Sequence, residues 1–325
     1  MKKLIIQIPC FNEQNTLPET LADLPREVAG FDRVEIMVVD DGSDDRTVEV
    51  AREHGVDHVV QLPIHRGLSS AFVAGLEAAL AAGAAVIVNT DADNQYCAAD
   101  IPRLVEPILE GRAEMVVGER PISSSPNFTP ARRFLQRLGS ALVRKVSGTS
   151  VPDAPSGFRA MSRSAAMRLN VFNEYSYTLE TIIQAGLKGM AVVSIPVSVN
   201  APRRPSRLFR SSSHYLSRQG SVIVRIFMTY RPFRFFAVPG AISFLIGFLI
   251  GLRFLYFYAS GSGTGHVQSL ILAALLMGIG AALVTVGLIA DLISVNRKLL
   301  EQLEWKVAML QDSVQPGSHV NRGGE

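Results

Sequence analysis

Two stretches of this 325-residue chain carry no charge over the length of a bilayer: "FFAVPGAISFLIGFLIGL" at 235–252 and "VQSLILAALLMGIGAALVTVGLIA" at 267–290. An α-helix rises about 1.5 Å per residue, so about 20 apolar residues cross a hydrocarbon core about 30 Å thick. Both stretches are expected to span a membrane as helices, which confines any soluble domain to the sequence on either side. The linking "ASGSGTGH" has no Lys or Arg, whereas Arg225, Arg231 and Arg234 precede the first span and Arg297 and Lys298 follow the second. The positive-inside bias therefore predicts a multi-pass protein of the inner (plasma) membrane, with both termini cytoplasmic and the short loop outside. Arg253, among Phe254, Tyr256, Phe257 and Tyr258, is placed to snorkel to the interface.

The segments beside the spans have their own patterns. Residues 211–234, "SSSHYLSRQGSVIVRIFMTYRPFR", mix aromatic, aliphatic and Arg side chains as an amphipathic helix in the headgroup region does. After the second span, residues 294–325 hold "RKLLEQLEWKVAML", with Leu299, Leu303, Val307 and Leu310 at helical spacing, and then a polar tail. That spacing fits either a short oligomerisation helix or a surface helix; a homo-oligomer is expected.

Residues 1–210 read as one α/β domain. Short apolar runs, "LIIQI" (4–8), "VEIMVVD" (34–40), "HVVQL" (58–62), "AAVIVNTD" (84–91) and "AEMVVGE" (113–119), alternate with helical patterns such as "SSAFVAGLEAALAAG". Continuous apolar strands joined by helices predict a mostly parallel, Rossmann-like sheet whose ligands bind beyond the carboxyl ends of the strands. A helix near 131–147, a helical "YSYTLETIIQAGLKG" and a strand "AVVSIPV" complete the domain.

Composition narrows the function. A net charge of +3 spread over both signs gives no basis for nucleic-acid binding. The two cysteines, Cys10 and Cys97, form no CxxC pair, and no secretory signal opens the chain, so reduced structural thiols are expected.

The acids cluster where an α/β sheet binds ligands. "NTDADNQY" places Asp91 and Asp93 one residue apart at a strand end, where two carboxylates can hold a hard divalent cation and leave positions for water and phosphate oxygens. "IPCFNEQ" puts Pro9, Asn12 and Glu13 at the end of the first strand. "VVDDGSDDRT" puts Asp40 and Asp41 at the end of the second, able to accept hydrogen bonds from a base or sugar, with Ser43 and Asp44 suited to capping the next helix.

In this order and spacing, the three motifs resemble the inverting GT-A glycosyltransferases of family 2. With "DAPSGFRAMSR" (153–163), the basic "RRPSRLFR" (203–210) and the apolar hairpin, the chain resembles the polyprenyl-phosphate glycosyltransferases, over about residues 4–295. The resemblance implies a GT-A domain followed by an interfacial helix and a transmembrane hairpin (235–293). It also implies a nucleotide-sugar donor, a polyprenyl phosphate acceptor, membrane lipid as a partner, and Mg²⁺ or Mn²⁺.

Carried over position by position, the resemblance implies nucleotide contacts at Pro9, Phe11, Asn12, Glu13, Asp40, Asp41, Asp91 and Ala92, and a metal on Asp91 and Asp93. It implies a catalytic or acceptor-positioning role for Asp153 beside Asp93, and acceptor-phosphate contacts at Arg159, Arg203 and Arg207. Gln95, Arg120, Ser156 and Glu180 are further candidates. In "HRGLSSAFVAG", His65 and Leu68 stand where the family has Asn and Lys. The Gln-x-x-Arg-Trp motif of processive synthases is absent, which implies a single transfer.

These expectations amount to moving one hexose, glucose from UDP-glucose or mannose from GDP-mannose, onto polyprenyl phosphate. The product would be a lipid-linked sugar for the cell envelope. Two alternatives stand beside it: transfer to a sugar hydroxyl of a lipid-linked glycan, and a non-catalytic nucleotide-binding membrane scaffold.

Overall fold

The computed structural model describes residues 1–121, 130–171, 177–200, 224, 228, 232–261 and 267–314. Arg203, Arg207 and most of the expected interfacial helix at 211–234 lie outside the described residues. The chain divides into two compact units, Met1–Gln219 and Gly220–Glu325.

The first unit is built on a seven-stranded sheet: β1 (Lys3–Cys10), β2 (Arg33–Asp40), β3 (His58–Gln61), β4 (Val86–Asn89), β5 (Met115–Glu119), β6 (Arg159–Ser162) and β7 (Val192–Pro196), in the order β3-β2-β1-β4-β6-β5-β7. Helices α1 (Leu17–Asp23), α2 (Thr47–Glu53), α3 (Leu68–Ala81), α4 (Ile101–Leu109), α5 (Pro130–Ser147), α6 (Arg163–Arg168) and α7 (Tyr177–Leu187) connect the strands. β1 lies between β2 and β4, and Leu4, Ile5, Ile6 and Ile8 are all buried. Coverage on both faces is why the run is apolar on both sides rather than alternating, with Gln7 as its polar exception. Each such side chain contributes on the order of 1.5–3 kcal/mol when removed from water.

The pairings of β1 with β2 and β4, of β2 with β3, and of β5 with β7 are parallel, as the βα alternation predicts. The sheet as a whole is mixed, because β6 runs antiparallel to both neighbours, β4 and β5. β6 is the four residues "RAMS", too short and too polar at its first position to register as a strand by periodicity. Its insertion has a direct consequence for the site. The register pairs Asn89 with Arg159, so two residues beyond the end of β4, at Asp91, the chain stands opposite Gly157.

The second unit is a helical hairpin of α8 (Pro232–Ala259) and α9 (Val267–Val314), each long and apolar enough to cross a membrane. The span expected at 267–290 and the helix expected after it are one continuous helix of 48 residues. The two helices meet through glycine. A Cβ on Gly240 would stand 2.8 Å from the Gly280 carbonyl oxygen, one on Gly280 2.6 Å from that of Gly240, and one on Gly247 2.8 Å from that of Ala273. Ser243 Oγ donates across the seam to the Leu276 carbonyl at 2.9 Å. Small residues and a hydroxyl bond are the means by which helices pair where no hydrophobic force favours one apolar face over lipid.

Candidate active site

The ends of β1 and β2 are tied into one ledge by reciprocal hydrogen bonds. Asn12 takes a left-handed backbone at φ 55°, a conformation that Asn adopts more readily than most residues. Its N–H donates to Ser43 Oγ at 2.9 Å, and its Oδ1 accepts from the Asp44 N–H at 2.9 Å. The Glu13 N–H donates to Thr47 Oγ1 at 2.9 Å, and the Gln14 N–H to Asp45 Oδ2 at 3.2 Å. Pro9 sits in β1 opposite Val39. Ser43, expected only to cap a helix, thus holds the β1 loop.

Asp40 and Asp41 are both buried, but they differ in use. Asp40 accepts from the Ser43 N–H at 3.2–3.3 Å. Asp41 Oδ1 accepts from the Arg66 N–H at 2.9 Å, and its Oδ2 from the Gly67 N–H at 2.8 Å, with His65 Nδ1 also 2.8 Å from Oδ2. The Asp41 carboxylate is therefore committed to the β3–α3 loop. Gly42 makes that closure possible, since a Cβ there would meet the His65 backbone nitrogen at 2.8 Å. On the loop, His65 lies flat on Phe11, ring centroids 3.8 Å apart and 24° from parallel.

Asp91 and Asp93 follow β4 as expected. The Asp93 Oδ1 accepts the Gln95 N–H at 3.1 Å in an Asx turn, with Asn94 left-handed at φ 53°. Ala92 is buried, and its carbonyl takes the Thr20 hydroxyl at 2.9 Å, which fixes the peptide between the two acids. The Gln95 carbonyl accepts from the Asn200 N–H at 2.8 Å. Burial, then the charge of Asp93, raise the Asp91 carboxyl to about 7, against the opposing pull of Arg120 and Arg159.

Opposite Asp91 stands Gly157. A Cβ there would lie 3.0 Å from Asp91 Oδ1 and 3.1 Å from the Tyr177 hydroxyl, so only glycine leaves the carboxylate its space. The Gly157 N–H donates to the Tyr96 hydroxyl at 3.0 Å, and its carbonyl accepts from Asn89 Nδ2 at 2.9 Å. Asn89 Nδ2 also reaches the Tyr177 hydroxyl at 3.0 Å, while Asn89 Oδ1 accepts from Gln7 Nε2 at 2.9 Å. Tyr177 stacks on Phe72 at 4.0 Å, and burial raises its phenol pKa. Gln7, Asn89, Tyr96, Gly157 and Tyr177 were not singled out from the sequence. The available signal was a polar residue inside each of two apolar strands, Gln7 in "LIIQIP" and Asn89 in "VIVN", which the β1–β4 register pairs directly.

Asp153 is buried and gripped by Arg120. Nε lies 2.8 Å from Oδ2, Nη2 3.0 Å from Oδ1, and the Arg120 backbone N–H 3.2 Å from Oδ2. Burial alone would lower the Arg120 pKa; the neighbouring Tyr96, Asp153 and Asp91 outweigh it and raise it. Arg159, expected at an acceptor phosphate, is wholly buried at the start of β6. Its Nη1 donates to the Thr178 carbonyl at 3.1 Å and to Thr181 Oγ1, and its Nη2 donates to the Ser156 carbonyl. Here it is a buried cation that braces the 154–156 turn, with its pKa lowered by burial. Ser156 is buried in that turn, its N–H donating to the Asp153 carbonyl at 3.1 Å. Glu180 is buried in α7, with Gln184 Nε2 3.5 Å from its Oε1.

The donor set suits a hard divalent cation. Asp91 and Asp93 offer carboxylate oxygens that repel one another, and among the described residues neither has an ion-pair partner. Among the described residues no group of three or more His, Cys, Asp or Glu side chains gathers as a metal site. The remaining coordination positions would fall to water and a bound diphosphate.

Residues 5–169 match the family model "Glycosyl transferase family 2". The chain is 28% identical over 206 residues to the undecaprenyl-phosphate mannosyltransferase of Micrococcus luteus, covering 60% of this chain and 83% of the relative. It is 28% identical over 309 residues to the undecaprenyl-phosphate 4-deoxy-4-formamido-L-arabinose transferase of Pectobacterium atrosepticum, covering 90% of this chain and 88% of the relative. In fold it is similar to the glucosyl-3-phosphoglycerate synthase of Mycobacterium tuberculosis, solved with Mn²⁺, UDP and phosphoglyceric acid. That match has a TM-score of 0.55 at 19% identity and covers 70% of this chain and 78% of the other.

Proposed function

The chain belongs to glycosyl transferase family 2, and from that membership we propose that it transfers one hexose from a nucleotide sugar to polyprenyl phosphate at the cytoplasmic membrane face, with inversion at the anomeric carbon. The observation that carries the reading is the Asp91–Asp93 pair, kept open by Gly157 at the strand ends, in a chain that also holds two apolar helices of bilayer length. UDP-glucose is the first donor to test and GDP-mannose the second.

The residues divide the work. Asp91 and Asp93 would hold Mg²⁺ or Mn²⁺, and the bound cation would supply charge neutralisation for the leaving nucleoside diphosphate. Asn12, Glu13 and Asp40 line the ledge on which the nucleoside would lie. Arg120 presents a guanidinium held in fixed orientation by Asp153, which suits recognition of phosphate oxygens.

The state of Asp153 favours a phosphate over a hydroxyl as nucleophile. A sugar hydroxyl must lose its proton to a base during attack, whereas a phosphate monoester with a second pKa of about 6 is already largely dianionic near neutral pH. A carboxylate with both oxygens bonded to a guanidinium is a poor base and a good positioning group.

The test is a mass-resolved transfer assay with the full chain in nanodiscs, several nucleotide sugars, Mg²⁺ or Mn²⁺, and a short polyprenyl phosphate. One product at the mass of a polyprenyl-phosphate hexose, lost in Asp93→Ala, supports the reading. Turnover only with glycan hydroxyl acceptors, or none with any donor, overturns it.

A further inference from the structure

We infer that His65 forms the stacking surface for the nucleobase of the donor, an inference that rests on the nucleotide-sugar reading above. Three observations place it there. The imidazole lies on Phe11 with centroids 3.8 Å apart, so one of its faces is covered. Its side chain is nevertheless 52% exposed, which leaves the opposite face open. And it is tethered: Nδ1 is 2.8 Å from Asp41 Oδ2, while the neighbouring Arg66 and Gly67 N–H groups bond the same carboxylate.

A ring held by stacking on one side and a hydrogen bond at its edge has lost its rotamer freedom before any ligand arrives. Binding a flat partner on its open face then costs little further ordering. With the Nδ1 proton directed at Asp41, Nε2 is left toward solvent as an acceptor for a base N–H or a ribose hydroxyl.

The position suits the base rather than the diphosphate. His65 reaches over β2 to Phe11 at the end of β1, while Asp91 and Asp93 follow β4 on the far side of β1. One to two strand spacings, roughly 5–10 Å, separate the two places, a gap that a ribose and its phosphates can cross. The exposed Ile64 beside His65 adds an apolar edge to the same loop. His65 stands where the motif that this segment resembles has Asn, a side chain without an aromatic face.

Equilibrium binding to the full chain in nanodiscs tests it, with UDP, GDP and inorganic pyrophosphate as separate probes in the presence of Mn²⁺. His65→Ala should weaken whichever nucleoside diphosphate the wild type binds by about tenfold, the scale of one base–aromatic stack. His65→Phe, which keeps a ring on Phe11 but gives up the bond to Asp41, should stay within about threefold of the wild type. Pyrophosphate binding should be equal in all three proteins. Unchanged nucleotide affinity in His65→Ala, a His65→Phe variant as weak as His65→Ala, or an equal loss of pyrophosphate binding would each overturn the assignment. A wild type that binds pyrophosphate but neither nucleoside diphosphate would instead remove the donor reading on which it rests.

Discussion

Arg120 closes on Asp153 with two parallel bonds, Nε to Oδ2 at 2.8 Å and Nη2 to Oδ1 at 3.0 Å, and adds its own backbone N–H to the same carboxylate. If Asp153 serves by aiming Arg120, the two residues act as a unit. Arg120→Gln and Asp153→Asn should each lower kcat by about 10- to 100-fold, and the double variant should be no worse than the weaker single one. Arg120→Lys should rescue little, because an ammonium cannot form both bonds. Additive losses in the cycle, with an acid limb in the wild-type pH profile that Asp153→Asn abolishes, would mark Asp153 as a base.

Gly157 leaves the Asp91 carboxylate its room. Gly157→Ala places a methyl group 3.0 Å from Asp91 Oδ1 and 3.1 Å from the Tyr177 hydroxyl, so either the acid or the phenol must shift. Turnover should fall at least tenfold and Mn²⁺ affinity with it, the displacement being small but at the reacting centre. Metal titration at fixed donor concentration checks this; wild-type metal affinity would refute it.

The raised Asp91 carboxyl has a defined pH signature. Without metal, its folded-state pKa of about 7 lies above the ordinary value of 3.8, so the unfolded chain loses this proton first. Its contribution to stability is present below about pH 4 and is lost as pH rises through 7. Adding Mn²⁺ should reverse the trend, because a bound cation displaces the proton: affinity should tighten by up to tenfold per pH unit below 7 and level off above it. Thermal unfolding of the wild type and Asp91→Asn between pH 5.5 and 8.5, with and without Mn²⁺, gives both slopes. A wild-type slope identical to that of Asp91→Asn would be fatal to the assignment.

In the apolar unit, Gly280→Leu drives a side chain into the Gly240 carbonyl, 2.6 Å from the added Cβ, and into the Phe244 backbone nitrogen at 2.7 Å. The hairpin should open, seen as loss of a disulfide engineered across the seam. Gly278→Leu, on the same helix but with open space around its Cβ, should leave that crosslink intact.

The α/β frame was legible because β1, β2 and β4 are buried on both faces and therefore apolar at most positions rather than at alternate ones. The acids were legible because Asp91 and Asp93 follow directly from a strand. β6 was not, since four residues beginning with an arginine carry no periodic signal; its existence depends on pairing with β4 and β5, which lie far away in sequence. The same non-locality hid the partnership of Arg120 with Asp153, 33 residues apart, and that of Asn89 with Tyr177, 88 residues apart. Arg159 shows the limit of reading chemistry from residue type. A guanidinium at a position where the resemblance implies a phosphate contact invites a ligand role, yet here it bonds the Ser156 carbonyl of its own turn and the Thr178 carbonyl of α7.

The glycine seam of the hairpin also bears on how the protein meets its bilayer. Gly240 and Gly247 lie seven residues apart, and they face Gly280 and Ala273, again seven apart. At each crossing a backbone oxygen lies where any longitudinal slip would bring up a side chain. The two helices therefore cannot slide to change the height of their apolar surface. The uncharged stretch of α8, residues 235–252, is roughly 27 Å long, close to a hydrocarbon core of about 30 Å. In a bilayer thicker or thinner than that stretch, a spanning hairpin would take up the mismatch by tilting the pair as one body or by deforming the surrounding lipid, so bilayer thickness would set its inclination rather than its length.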